Sequence, residues 1–299
     1  MKPHKVLIAG ATGYLGQFLV KEAKKQGYFV RALTRDAKKL DHLSEYIDDI
    51  FVGEVTDVDS LRDVCKEVNF VISAVGITRQ KDGLTYMDVD YQGNKNLLDC
   101  ALRDRVSKFV YVSVLNAHLL SNLKIIQAKE RFVQELAQSA LDYTIIRPTG
   151  FFSDILEFLT MARKGRVNLF GSGEYRINPI HGEDLAKVCI DAFRRKERES
   201  GSETESETGK ETGKVIEIGG PETFTHRQIA ELAFSVLNKD VRISCMPLWL
   251  KDVVLWFMRL FTSSRTYGPV EFLMTALSMD GVAPAYGEKK LRDFFEANV

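Results

Sequence analysis

A chain of 299 residues, 45% of them hydrophobic, can bury a full core, which argues against a disordered or membrane-embedded class. Lys plus Arg and Asp plus Glu both total 41, so the formal net charge is zero and composition lends no support to nucleic-acid binding. The four cysteines, Cys65, Cys100, Cys189 and Cys245, are far apart with no CxxC pair, which argues against a metal site and a disulfide framework and fits a reducing compartment.

The chain enters a strand at Lys5-Val6-Leu7-Ile8-Ala9, leaving no room for a signal peptide, so a cytoplasmic protein is expected. Up to about residue 150, short β-branched runs alternate with helical periodicity, the pattern of βαβ units and a parallel sheet. Strands are expected at 6–9, 29–34, 50–52, 70–74, 109–112 and 143–147, and helices at 15–25, 61–67, 94–103 and 128–139. Several strands are nearly unbroken apolar runs, as when helices cover both faces of a sheet.

Between the first strand and helix lies Gly10-Ala11-Thr12-Gly13-Tyr14-Leu15-Gly16. In that context a glycine loop serves a dinucleotide: Gly10 for the tight turn, Gly13 for backbone approach to a pyrophosphate, Gly16 for packing of helix on sheet. The charge of the pyrophosphate would fall on the helix N-terminal amides. At the end of the second strand an NAD-specific domain carries a carboxylate; this chain reads Leu33-Thr34-Arg35, with Lys38 and Lys39 beyond. A guanidinium beside a small hydroxyl suits a 2′-phosphate, so NADP is expected, with NAD as the alternative. Asp36 either caps the next helix or turns toward a ribose.

After Pro148 the rhythm loosens. A helix at 155–163 leads to an irregular Gly-rich stretch, 165–173, then an extended piece at 175–180 and a helix near Asp184. Residues 195–214 contain no large apolar side chain, and they near-repeat Glu-Thr-Gly-Lys; a solvated insertion is expected there. Deleting residues 200–210 should then leave folding intact. A strand at 215–218, a helix from His226 with Thr225 and Gln228 as a capping box, a strand at 242–245 and two or three helices follow. The apolar run Val253-Val254-Leu255-Trp256-Phe257-Met258 is bracketed by charges and too short to span a bilayer, so membrane contact is peripheral at most. Phe151, Phe152, Phe158, Trp249, Trp256 and Phe257 either line an apolar substrate pocket or are core.

The glycine loop, Ser73-Ala74-Val75-Gly76, Val110-Tyr111-Val112-Ser113, Asp90-Tyr91-Gln92-Gly93-Asn94, Ile146-Arg147-Pro148-Thr149-Gly150 and Ile180-His181-Gly182-Glu183-Asp184 together resemble the short-chain dehydrogenase/reductase superfamily. The stretches Val112-Ser113-Val114-Leu115-Asn116-Ala117 and Arg147-Pro148-Thr149-Gly150-Phe151-Phe152 are most similar to its atypical NmrA-like branch. That branch holds isoflavone reductases, divinyl-chlorophyllide reductases, photosystem II assembly factors and a respiratory complex I accessory subunit. The resemblance implies a doubly wound Rossmann domain at 1–150 and a smaller mixed α/β lobe at 151–299 completing the same globule. It implies Lys129 at the nicotinamide ribose, Ser113 as a donor near the reacting carbon, and Pro148, Thr149 and Gly150 at the carboxamide end. Lys129 as a plain surface charge is the alternative, and His181 and Asp184 are expected to be structural.

The superfamily's tyrosine, four residues before the lysine, is here Ile125, which cannot move a proton. Two functions stay open: an NADPH-dependent reductase of a hydrophobic small molecule, and a cofactor-loaded sensor or assembly factor. If Lys129 acts alone at the ribose, Lys129→Met should cut turnover while leaving stability near normal.

Overall fold

Strands that are apolar on both faces demand cover on both faces, and the chain supplies it by winding helices alternately to either side of one parallel sheet. A computed structural model describes residues 3–77, 83–194 and 213–299. The first half runs β1 (Lys5–Ala9), α1 (Tyr14–Lys25), β2 (Phe29–Thr34), β3 (Asp49–Val52), β4 (Phe70–Ser73), α2 (Asn94–Arg103), β5 (Lys108–Val112), α3 (Lys124–Ala137) and β6 (Asp142–Pro148). The second runs α4 (Phe152–Arg163), β7 (Val167–Phe170), β8 (Arg176–Ile177), α5 (Gly182–Asp191), β9 (Gly213–Ile218), β10 (Phe224–Thr225), α6 (His226–Val236), β11 (Ile243–Met246), α7 (Leu248–Phe261), α8 (Ser264–Ala276) and α9 (Leu291–Glu296).

Seven strands make the main sheet in the order β3-β2-β1-β4-β5-β6-β9. All are parallel, with Ile8 opposite Ala32 on one side and Ile72 on the other. The order reverses between β1 and β4, which opens a crevice beyond their C-terminal ends. One face is closed by α1 and α5 through Leu15, Leu19, Leu185 and Ile190, the other by α2 and α3 through Leu97, Leu98, Phe132 and Leu136. Each such fully buried side chain contributes roughly 1.5–3 kcal/mol. A third cluster joins α4, α6 and α9 through Phe158, Phe234 and Phe295. A fourth gathers Tyr86, Leu120, Ile125 and Ile126 against Phe272 and Met279.

The doubly wound sheet is as expected, with four differences in detail. The expected helix at 61–67 is a single 3₁₀ turn, Asp59–Leu61, followed by linked turns. Leu61, Val64, Cys65 and Val68 are buried with helix-like spacing, but the bonds are of i to i+3 type and Glu67 sits at φ +60°, which ends any helix. The Gly-rich stretch holds β7, paired in parallel with β11. Gly213 and Lys214 belong to β9 rather than to the insertion; residues 195–212 lie outside the described ones. The six aromatics proposed for a pocket do not converge. Phe152 and Phe158 are core, Phe151 packs beside Tyr14, and Trp249, Trp256 and Phe257 stand 64%, 56% and 50% exposed on α7.

Candidate functional site

The helix α1 opens at Gly13 with no side-chain cap and no acidic residue in its first turn, while Lys24 and Lys25 sit at its far end. Its N-terminal amides therefore face the crevice with their partial positive charge uncompensated, the condition for holding an anion. Gly10 adopts φ +87°, and a Cβ on Gly16 would lie 2.0 Å from the Gly10 carbonyl oxygen, so only glycine lets the helix start this close to the loop. Ala11 and Leu15 are core, and Thr12 is exposed. Tyr14 points away: its hydroxyl accepts from the Gly182 amide at 3.1 Å, and burial pushes the phenol up to about 12. It ties the loop to the start of α5. There His181 caps the helix through Nδ1, which accepts from the Glu183 amide at 3.2 Å, and burial holds its pKa below the usual value.

A cavity of about 270 Å³ lies over these strand ends, lined by Gly10, Thr12, Gly13, Thr34, Arg35, Gly53, Glu54, Val55 and Ala74 through Ile77. Thr34 spends its hydroxyl locally, accepting from the Asp36 amide and donating to the Asp36 carbonyl. Asp36 caps the following turn by accepting from the Lys38 amide. Arg35 is 59% exposed at the rim, its Nη1 3.5 Å from Glu54 Oε2. Glu54 is anchored by its backbone, which donates to Ser60 Oγ at 2.9 Å.

The floor of the crevice is a polar scaffold. Ser73 is fully buried and donates to Asn94 Oδ1, while Asn94 Nδ2 donates to the carbonyls of Val75 and Asp90. The wide helical turn Met87–Gly93 places Asp90, wholly buried, directly beneath Gly76. Asp90 Oδ2 accepts from the Ile77 amide at 3.2 Å, and Oδ1 lies 2.9 Å from Lys129 Nζ. A Cβ on Gly76 would sit 2.6 Å from that carboxylate and 2.8 Å from that ammonium, so the loop passes over the pair at contact distance. Burial alone would lower the pKa of Lys129, but Asp90 and Tyr111 outweigh it and keep the ammonium charged. Lys129 is thus a buried cation and not a surface charge.

One strand further, Ser113 donates to Glu130 Oε1 at 3.2 Å, and Glu130 Oε2 pairs with Arg147 at 2.7 Å. Pro148 ends β6 and its carbonyl accepts from the Leu115 amide. Thr149 donates its hydroxyl to the Asn178 carbonyl at 2.6 Å, and the Gly150 carbonyl accepts from the Ile180 amide. These residues hold the strand ends together beside the crevice without lining its described cavity. Ile125 is 4% exposed in its apolar cluster.

Sequence reasoning missed Gly53, Glu54 and Val55, Asp90 and Asn94 as partners, and the Glu130–Arg147 pair. The first three follow the third parallel strand, the position where ligands approach such sheets, and that rule alone would have found them. Among the described residues no cluster of His, Cys, Asp and Glu could hold a metal, and no helix is long and apolar enough to cross a membrane.

Known proteins bear on this geometry. The chain is 28% identical over 259 residues to a photosystem II assembly factor of Synechocystis, covering 86% of this chain and 74% of that one. It is 26% identical to the chloroplastic divinyl chlorophyllide a 8-vinyl-reductase of Cucumis sativus, covering 99% and 76%. A solved NADPH-dependent quinone oxidoreductase of Escherichia coli, complexed with NADPH, shares the fold at a TM-score of 0.73 with 18% identity over 98% of this chain and 99% of that one. The model of the NAD(P)H-binding family matches residues 10–196, from the glycine loop through α5. The chain belongs to that NAD(P)H-binding family, within the NmrA-like, atypical short-chain dehydrogenase/reductase relatives that its motifs resemble.

Proposed function

We propose that the protein is an NADPH-dependent reductase of an apolar small molecule. The observation that carries this reading is the continuity of the crevice: an uncapped helix N-terminus, a glycine passing at contact distance over a buried ammonium–carboxylate pair, and Ser113 at the next strand end. Backbone amides of residues 13–16 would hold the pyrophosphate, and Ala74, Val75 and Gly76 would carry the chain of the cofactor across the sheet. Arg35 at the rim would take the 2′-phosphate in competition with Glu54. Lys129, kept charged by Asp90, would present its remaining donors to the nicotinamide ribose. Ser113 would reach the reacting region by giving up Glu130, and Pro148, Thr149 and Gly150 would border the carboxamide. NADPH, when bound, supplies the hydride. The apolar cluster around Ile125, against which Phe272 and Met279 pack, carries no charged side chain and so supports a substrate without charge. Three buried free cysteines suit a reducing compartment such as the cytoplasm.

Calorimetric titration checks the cofactor: NADPH should bind more tightly than NADH, and Arg35→Ala should weaken NADPH about tenfold or more while leaving NADH unchanged. Equal affinities would overturn the assignment of Arg35. NADPH oxidation against quinones and conjugated ketones checks the chemistry. A second reading, a cofactor-loaded sensor or assembly factor, is favoured by the burial of Ile125 where a proton donor would stand. Tight NADPH binding with no turnover across a broad apolar panel would put that reading first.

A further inference from the structure

Tyr111 is a polar residue in an apolar place. It stands near the end of β5, on the face that α3 covers, and its ring packs edge-on against Phe132 at 4.7 Å between centroids. The side chain is wholly buried, and burial pushes its phenol up to about 12, so the hydroxyl keeps its proton at neutral pH. Among the described residues no group meets that hydroxyl in hydrogen-bond geometry. A phenylalanine would fill the same space without stranding a hydroxyl away from water, so the oxygen needs a partner.

The neighbouring ammonium supplies one. Lys129, one turn before Phe132 on α3, brings its Nζ to 5.7 Å from the centre of the Tyr111 ring. The two groups act on each other: the hydroxyl helps to keep the ammonium charged, and the ammonium opposes the effect of burial on the phenol. The same ammonium is 2.9 Å from Asp90 Oδ1 yet out of line for a hydrogen bond, and that oxygen too is buried without a partner. Two stranded oxygens thus border one nitrogen. An ammonium carries three hydrogens and no lone pair. With one hydrogen for Asp90 and one for Tyr111, a single hydrogen is left, and the approach to it is over Gly76. A Cβ there would lie 2.8 Å from Nζ, and Gly76 lines the crevice cavity. We infer that Tyr111 is a positioning residue for the cofactor: with Asp90 it occupies two hydrogens of Lys129 and turns the third past Gly76 toward the nicotinamide ribose. This role rests on the proposed place of Lys129 at that ribose. Anchored at Asp90 alone, the ammonium would swing on its flexible stem, and a donor misplaced by an ångström loses most of its effect.

Titration calorimetry of the full chain compares two ligands, NADPH and adenosine 2′,5′-bisphosphate, which keeps the 2′-phosphate end and lacks the nicotinamide riboside. NADPH should bind more tightly, and the ratio of the two affinities reads what the rest of the dinucleotide adds. Tyr111→Phe removes one oxygen and keeps the ring on Phe132. It should weaken NADPH about tenfold, the scale of one hydrogen bond to a charged group, and leave the bisphosphate within about twofold. The double variant Lys129→Met with Asp90→Asn should lower the same ratio at least as far. A Tyr111→Phe variant that keeps the full ratio while the double variant loses it would overturn the role of Tyr111 and leave Lys129 in place. Loss in Tyr111→Phe alone would overturn it too, since the hydroxyl would not act through the lysine. One ratio common to all three proteins would overturn the place of Lys129 at the ribose and the role of Tyr111 with it. Equal weakening of both ligands by Tyr111→Phe would also overturn the proposal, because the hydroxyl would then support the fold and not the nicotinamide end.

Discussion

Lys129 and Asp90 carry the centre of the site as a unit, and that changes what a substitution there does. With Asp90 wholly buried and its oxygen 2.9 Å from the ammonium, Lys129→Met leaves a carboxylate without its counter-charge, so the expectation of near-normal stability gives way. Removing one partner of a buried pair costs about 3–5 kcal/mol, which a urea titration resolves easily. Asp90→Asn together with Lys129→Met should recover most of that loss, because two neutral groups replace an orphaned charge. Equal loss in the single and double variants would show that the lysine stem, not its charge, supports the loop. A second pair acts at the rim. Glu54 lies 3.5 Å from the Arg35 guanidinium, the group proposed for the 2′-phosphate, so Glu54→Gln removes a competing anion. NADPH affinity should rise about twofold to fivefold while NADH affinity stays constant, the scale of an exposed ion pair. A fall in NADPH affinity would mean that Glu54 positions Arg35 rather than competing for it.

Among the elements, α1 depends on one glycine more than on its apolar face. Gly16→Ala puts a methyl group 2.0 Å from the Gly10 carbonyl oxygen and 2.8 Å from the Ala11 Cα, both backbone, so the helix must slide off the loop. A lower melting temperature should come with at least about tenfold weaker dinucleotide binding, since amides aimed at a phosphate lose it on a shift of an ångström. This element was fully legible in the sequence: strand, glycine spacing and helix announce one another. So was β2, whose six residues, Phe29–Thr34, agree with the expected bounds. The turns after Asp59 were not, because buried Leu61, Val64, Cys65 and Val68 keep helical spacing while the amides of Leu61, Val64, Lys66 and Val68 bond three residues back. Periodicity records which side chains face the core and not which carbonyl each amide finds. The same limit hid Asp90: a carboxylate fourteen positions after Gly76 in the chain lies beneath it only because the helical turn at Met87–Gly93 is wide. Trp256 and Phe257 failed for the opposite reason, since an aromatic stripe reads alike whether it faces a pocket or solvent.

At the scale of the whole molecule, the sheet and the α4–α6–α9 cluster meet where the chain after Gly150 folds back over the strand ends. Asp184, buried at the start of α5, accepts from the amides of Glu288 and Lys289 and so draws the C-terminal segment onto the sheet. His226, the first residue of α6, is 2% exposed between the rings of Phe158 and Tyr175, and its amide donates to the Tyr175 carbonyl. Burial lowers its pKa to about 4, with Asp280 opposing the shift. An unfolded chain takes up that proton near pH 6.5, whereas the folded chain refuses it until about pH 4. More protons are bound by the unfolded state throughout that window, so stability is complete above pH 6.5 and falls as the pH drops towards 4. The histidine alone accounts for about 3 kcal/mol of the fall, and His181, lowered in the same direction by burial, adds to it. His226→Phe keeps a ring in the cluster and removes the titration. Urea titrations at pH 7, 6, 5 and 4 should therefore give a clearly shallower decline for the variant than for the unaltered chain. Parallel declines would assign the acid sensitivity to other groups and show that His226 reaches water in the folded state.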